Sequence, residues 1–333
     1  MAVLVTGGAG YIGSHTVLEL KEQGEEVVIL DNLRTGHRGA LRDSTLYQGD
    51  LRDEGLLDRI FREQDIEAVI HFAACSLVGE SAKDPLPYYG NNVGGTLRLV
   101  QKMVEHGVKH LVFSSTAAVY GEPKRVPIRE TDPTIPTNPY GETKLAIERM
   151  LKWCDRAYGV KSVSLRYFNA AGAHPSGELG EDHDPETHLI PIVLQTALGK
   201  RECVYIYGDD YPTPDGTCIR DFIHVMDLAR AHWLALEKMR RDGEGGIYNL
   251  GNGAGFSVRE VIEKARQVTG RPIPAKTAPR RPGDPAVLVA SAERAREELL
   301  WSPRYSRLEE ILETAWHWHR RHPEGFRTEQ KSR

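Results

Sequence analysis

The chain opens on an unbroken apolar run, residues 2–6. Gly7-Gly8-Ala9-Gly10 follows at once, and then a helical pattern of apolar positions from Tyr11 to about Gln23. A second apolar run, 26–31, ends on Asp31, and strand-like runs recur near 45–48, 68–72, 110–114 and 161–166 with helical segments between most of them. Strands that are apolar throughout are buried on both faces, and their alternation with helices marks a parallel sheet covered on both sides. The pattern predicts an α/β fold built on a doubly wound parallel sheet.

After Asn169 the pattern changes. Residues 172–187, rich in Gly, Pro, Asp and Glu, read as a loop. A short helix is predicted at 188–199, strands at 204–207 and 222–225, and a helix at 227–240. A strand at 247–250, a helix at 258–269, a basic loop at 279–285 and an amphipathic helix at 308–321 complete the pattern. The tail 327–333 is expected to fray. This gives a Rossmann domain over 1–168 and a smaller C-terminal α/β substrate domain over 169–333, with segments around 221–250 returning to the first core.

Gly8-Ala9-Gly10-Tyr11-Ile12-Gly13 fits G-x-G-x-x-G, and Gly7, Gly10 and Gly13 also form a G-x-x-G-x-x-G series. Such glycines permit the tight strand-to-helix turn, let backbone approach a pyrophosphate and let helix and strand pack closely. The helix N-terminus supplies free N–H groups and a positive dipole to the phosphates. Asp31, about 20 residues on, suits the ribose hydroxyls of NAD and repels a 2′-phosphate. Arg34 would favour NADP, but two positions past the strand end it reads as a solvated loop charge. Asp50 closes the third strand and is placed to meet the adenine amine or, alternatively, to cap the helix over 53–63.

Tyr140 and Lys144 stand at i and i+4 on a helix starting near Pro139, hence on one face. Phenol is a poor base at its ordinary pKa of about 10. A nearby ammonium and an oxidised nicotinamide both favour the phenolate, so Tyr140 is expected to move a hydroxyl proton as hydride leaves the same carbon. By itself the spacing also fits a surface Tyr–Lys pair. Upstream, an apolar strand ends in Ser114-Ser115-Thr116, and strand ends in such sheets carry ligand sites. Thr116 is expected to bridge a sugar hydroxyl and Tyr140, the alternative being a simple polar turn.

Composition narrows the class. With 43 basic and 47 acidic side chains the formal charge is −4, which leaves no footprint for nucleic acid or an anionic membrane. No apolar stretch approaches the ~20 residues of a membrane span. The N-terminus enters a strand directly, without a signal-peptide pattern. Cys75, Cys154, Cys203 and Cys218 have neither metal spacing nor a disulfide pattern. Trp316-His317-Trp318-His319 points its imidazoles apart on a helix, so no metal is expected. These readings place the protein in the cytoplasm, with reduced thiols.

Several segments together resemble the extended short-chain dehydrogenase/reductase family and, within it, are similar to the UDP-glucose (UDP-galactose) 4-epimerases. They are Val5 to His15, Val78 to Ser81, Tyr88 to Thr96, Phe113 to Gly121, Pro139 to Lys144 and Leu165 to Gly172, with Gly208 to Val225 and Arg281 to Asp284. The resemblance covers nearly the whole chain. It implies reversible C4 epimerisation of UDP-hexoses in galactose metabolism, through a 4-keto intermediate with bound NAD, by a homodimer. It implies that Gly7, Gly10, Tyr11, Ile12, Gly13, Asp31, Asn32, Leu33, Arg34, Thr35, Gly36, Asp50 and Leu51 line the cofactor. Phe72, Ala73, Ala74, Ser76, Asn91, Tyr140, Lys144 and Phe168 complete that lining. Catalysis falls to Tyr140, Lys144 and Thr116. Asn169, Leu189, Tyr205, Tyr207, Arg220, Arg281, Asp284 and Leu288 join Thr116 and Tyr140 on the UDP-sugar.

Ser76 departs from members that carry Lys there, and His188 from members that carry Asn. Leu288 falls where members restricted to plain hexoses have Tyr, which implies room for N-acetyl sugars; it also fits a short strand over 286–290 facing away from the site. The nearest rival, a nucleotide-sugar dehydratase, has an Asp-Glu pair where Ala117-Ala118 stand. A non-catalytic NAD-binding regulator would be expected to lack Tyr140 or Lys144.

Overall fold

In a computed structural model the described residues are 1–281 and 283–326; the predicted frayed tail lies outside them. The first half alternates as the pattern predicts, with strands β1 (Ala2–Thr6), β2 (Glu26–Asp31), β3 (Thr45–Gln48), β4 (Ile66–His71), β5 (His110–Ser114) and β6 (Lys161–Tyr167). Between them run α1 (Tyr11–Glu22), α2 (Glu54–Glu63), α3 (Val78–Lys83), α4 (Pro85–Tyr88), a π-helical turn Tyr89–Gly94, α5 (Gly95–Glu105) and α6 (Pro139–Tyr158). The second half carries β7 (Asn169–Ala171), α7 (Leu189–Ala197), β8 (Val204–Tyr207), β9 (Ile219–Arg220), β10 (Phe222–His224) and α8 (Val225–Asp242). Then come β11 (Gly246–Leu250), β12 (Phe256–Ser257), α9 (Val258–Thr269), β13 (Ala275–Ala278), β14 (Val287–Leu288), α10 (Glu293–Glu298) and α11 (Leu308–Arg321).

One seven-stranded sheet has the order β11-β6-β5-β4-β1-β2-β3, and every pairing in it is parallel. The chain reverses its direction of progress between β1 and β4, and ligands of such sheets bind beyond the strand carboxyl ends at that point. All five residues of β1 are buried, as its unbroken apolar run requires. Helix α2 is capped by Asp53, whose carboxylate accepts from Leu56 N, so the cap is Asp53 rather than Asp50.

Two cores reflect the change of pattern after Asn169. One joins Val3, Val5, Ile29 and Val112 to Leu228, Leu236 and Met239 of α8 and to Tyr248 and Leu250 of β11, so these later segments close the sheet of the first half. The other joins Ile190, Val193, Val204, Ile206, Phe222, Val261, Ile311 and Leu312. The thiols of Cys203 and Cys218 are buried, those of Cys75 and Cys154 half-buried, and all four are free. No helix among the described residues is long and apolar enough to cross a membrane.

Candidate active site

The glycine turn is as tight as its residues allow. Gly7 has φ +74°, and a Cβ there would stand 2.7 Å from Ala73 N; a Cβ on Gly13 would stand 2.1 Å from Gly7 O. The chain can pass between β1 and β4 only without side chains at these points. Helix α1 begins at Gly10 with no side-chain cap and no acid in its first turn, which leaves its N–H groups and dipole for an anion. Asp31 ends β2 beside the turn, accepting from Ala9 N at 2.9 Å and Leu33 N at 2.8 Å. Burial raises its pKa, and the two N–H donors oppose that rise. Each carboxylate oxygen keeps a lone pair for a ribose hydroxyl. These residues fit a dinucleotide.

The rest of the predicted cofactor lining divides. Thr35 and Arg34 are exposed, and Asn32 bridges Arg34 N and Asp50. Asp50 is clasped by both guanidinium arms of Arg52 at 2.7 and 2.8 Å, which holds its pKa down to about 2. Gly36 packs on Ala9, Phe72 lies against His232, and Leu51 belongs to the core. Ala74 and Asn91 are half-buried and Ser76 is exposed. Tyr11 donates its hydroxyl to Gly172 O at 2.7 Å, tying the glycine turn to the segment after β7.

At the carboxyl end of β5 the predicted chemical residues do converge. Asn138 caps α6 and Pro139 sits at its first turn, and this fixes Tyr140 at the start of the helix. Lys144, one turn on and buried, donates to Ser114 O at 2.8 Å, with its Nζ 5.9 Å from the Tyr140 ring centre. Thr116 caps the short turn Ala117–Tyr120 through Ala118 N, and its side chain lies close enough to Tyr140 to favour the phenolate. In the chain without nucleotide, burial raises the Tyr140 pKa and the Thr116 side chain opposes the rise. Lys144 is itself brought down to about 7 by burial, against the pull of Glu148 and Cys75.

That depressed lysine has a testable consequence for the chain freed of nucleotide. Its folded pKa lies below the unfolded value of about 10.4, so between about 7 and 10 the unfolded state holds more protons. Stability tied to this group therefore rises with pH across that window. Chemical denaturation at several pH values should show wild type gaining on Lys144→Met from pH 7 towards 10. A constant difference would refute the buried, depressed lysine.

The sequence reading missed the support under this site. Glu148 extends the Tyr140–Lys144 face by one more turn and, with Arg166, forms an ion pair 3% exposed on each side. Glu148 accepts from Ser115 Oγ at 2.5 Å, and Arg166 donates to the Tyr120 hydroxyl at 2.9 Å. The Tyr120 hydroxyl donates to Asn249 at 2.7 Å. The network clamps the Ser114-Ser115-Thr116 turn between α6, β6 and β11. Asn92 does the same for the turn after β4, bonding both Cys75 backbone groups and Thr143. An i, i+4, i+8 series of polar residues on α6 was the one available signal for Glu148.

Across the cleft, Arg220 is ion-paired to Asp284, and Arg281 lies 4.0 Å over the Tyr207 ring. Tyr205 and Tyr207 share the exposed face of β8. Leu288 pairs in register with Arg220 and packs, with Phe168, against the cluster of Val119, Tyr120, Ile128 and Leu145. It is thus half-buried beside the Thr116 turn. Asn169 and Leu189 begin β7 and α7.

A switch-point dinucleotide turn joined to a Tyr–Lys pair defines a class of NAD-dependent enzymes acting at a carbinol carbon. Residues 3–251 match the model of the NAD dependent epimerase/dehydratase family, and the chain belongs to that family. It is 67% identical over 333 residues to the UDP-glucose 4-epimerase of Halalkalibacterium halodurans, covering 100% of both chains. A crystal structure of a UDP-glucose 4-epimerase superposes with TM-score 0.96 at 55% identity, covering 98% of this chain and 99% of that one. The Bifidobacterium longum UDP-glucose 4-epimerase in complex with NAD+ and UDP gives TM-score 0.93 at 44% identity, covering 98% of this chain and 100% of that one.

Proposed function

We infer that this chain interconverts UDP-galactose and UDP-glucose by inverting C4 through a 4-keto sugar, with NAD held throughout. The observation that carries the reading is the Thr116–Tyr140–Lys144 arrangement at the carboxyl end of β5, beside a glycine turn that fits NAD. NAD, when bound, accepts the C4 hydride and returns it to the opposite face. Tyr140 removes the 4-hydroxyl proton and later gives it back, while Thr116 holds the hydroxyl. Lys144 supplies positive charge beneath the phenol. Arg220 and Arg281 present guanidinium groups suited to a diphosphate. Anchoring by UDP with loose holding of the hexose lets the keto sugar turn over between the two transfers.

This reading assigns 1–168 mainly to NAD and 169–333 mainly to the UDP-sugar, with α8 and β11 returned to the first core. It carries with it a homodimer and a cytoplasmic setting. A second copy is supported by the apolar stripe of α5: Val100 is buried, but Leu97 is 41% exposed, and Tyr89 and Leu86 earlier in the chain are exposed as well. The decisive assay mixes the purified chain with UDP-galactose and follows UDP-glucose, then releases the nucleotide by acid for mass analysis. NAD and UDP-glucose are expected. NADP, or an active chain containing no nucleotide, would overturn the reading.

The pocket is also proposed to take UDP-N-acetylglucosamine and UDP-N-acetylgalactosamine. Leu288 lies beside Phe168 and the Thr116 turn, where the C2 substituent of a turning sugar passes, and it lacks the ring and hydroxyl of Tyr. Leu288→Tyr should cut N-acetylhexosamine epimerisation by about 10-fold or more while sparing the hexoses. Undiminished N-acetylhexosamine turnover in the variant would rule Leu288 out as the gate.

A further inference from the structure

The loop after β7 gathers four ligating side chains to which the proposed reaction assigns no chemical step. Glu181, His183, Glu186 and His188 each turn one donor atom towards a common point, and these atoms lie within 4.8 Å of one another. His188 Nδ1 stands 2.8 Å from Glu181 and 3.1 Å from Glu186; His183 Nδ1 stands 3.1 Å from Glu181 and 3.7 Å from Glu186. Glu181 is 4% exposed and Glu186 8%, whereas both rings reach solvent. Two carboxylates buried side by side need positive charge beside them; the two paired imidazoles supply it when protonated, and a divalent ion would take over that role with the rings neutral. A cavity of about 170 Å³ borders the cluster, lined also by Gln195 and His319, and leaves room for an ion to enter with its water.

We propose that Glu181, His183, Glu186 and His188 bind one divalent transition-metal ion of the zinc class. With neutral rings, the two carboxylates balance a charge of 2+. Two imidazole nitrogens with two carboxylates suit zinc or cobalt, whereas magnesium and calcium favour oxygen ligands throughout. Metal–ligand bonds of about 2.0–2.2 Å in a tetrahedron set donors roughly 3.4 Å apart; the four donor atoms lie within 4.8 Å of one another, so they would have to contract onto the ion, with Glu186 now facing His188 through Oε1 and His183 through Oε2. Glu186 is held in place by the N–H groups of Thr187 and His188, each at 2.8 Å. The ion would fasten the loop to the N-cap of α7, where His188 stands, and the His183 ring lies perpendicular to that of Tyr11 of the glycine turn, ring centres 6.2 Å apart. Occupancy would thereby brace the two halves of the cleft against each other.

The test uses the untagged, NAD-loaded chain dialysed against a chelator and titrated with Co²⁺. One Co²⁺ per chain is expected, with visible absorption bands that Zn²⁺ removes and a tenfold excess of Mg²⁺ leaves alone. Zn²⁺ should also raise the unfolding temperature. His183→Gln and Glu186→Gln should each weaken Co²⁺ binding by at least about tenfold, with retained NAD and an unchanged circular dichroism spectrum showing that they fold. Either variant alone suffices if the other does not fold. No binding by millimolar Co²⁺, or equal binding by the folded variants, would overturn the proposal. Because the readout is metal binding, its failure leaves the epimerase reading intact.

Discussion

Replacing Tyr140 by Phe should lower turnover by about 10²–10⁴-fold, the usual scale for loss of a positioned acid/base. The ring would remain packed beside Lys144, whose Nζ is 5.9 Å from its centre, so the shape of the pocket is kept and only the proton carrier is removed. The Lys144 contact to Ser114 O and the Asn138 cap do not depend on the hydroxyl. Bound NAD measured after acid release, and UDP titrated by calorimetry, should both match wild type, which confines the loss to kcat. A variant turning over near the wild-type rate would remove Tyr140 from the mechanism. One that lost NAD would show the residue to be a binding group instead.

Arg166→Met should destabilise the protein by about 3–5 kcal/mol, because it leaves the Glu148 carboxylate buried without its partner. The same change strips the Tyr120 hydroxyl of a donor and loosens the Ser114-Ser115-Thr116 turn. Converting both partners, Arg166→Met with Glu148→Leu, removes the orphaned charge, and most of the stability should return. Denaturant unfolding of the two variants measures this directly. If the single variant lies within about 1 kcal/mol of wild type, or the double is no better than the single, the pair is not the clamp described.

These two expectations rest on information of different origin. Periodicity and turn residues are local, and they carried most of the elements: the unbroken apolar runs of β1, β2 and β5, the glycine turn after β1, and the start of α6 at Pro139. The helix turn relates Tyr140 to Lys144 by spacing alone, so that half of the site was legible. Short segments whose form depends on neighbours were not: β7, only Asn169–Ala171, exists because Phe222–His224 pairs with it, and the π-helical turn Tyr89–Gly94 accompanies the Asn92 bonds to the Cys75 loop.

Contacts between distant residues were decided by the tertiary structure alone. Burial, which no single residue encodes, raises the Tyr140 pKa, a contribution that the helical spacing of Tyr140 and Lys144 does not reveal. It also turns Arg166, an ordinary strand residue by pattern, into the partner of Glu148. A loop rich in Gly, Pro and acids gave no sign that its carboxylates would be buried or that His183 and His188 would face them. The chain by itself determined which segments are strands or helices and which chemistry they carry, because those depend on neighbours a few residues away. Which charges meet, which lose water and where their pKa values settle depended on packing, since desolvation and Coulomb energy are set by three-dimensional distance.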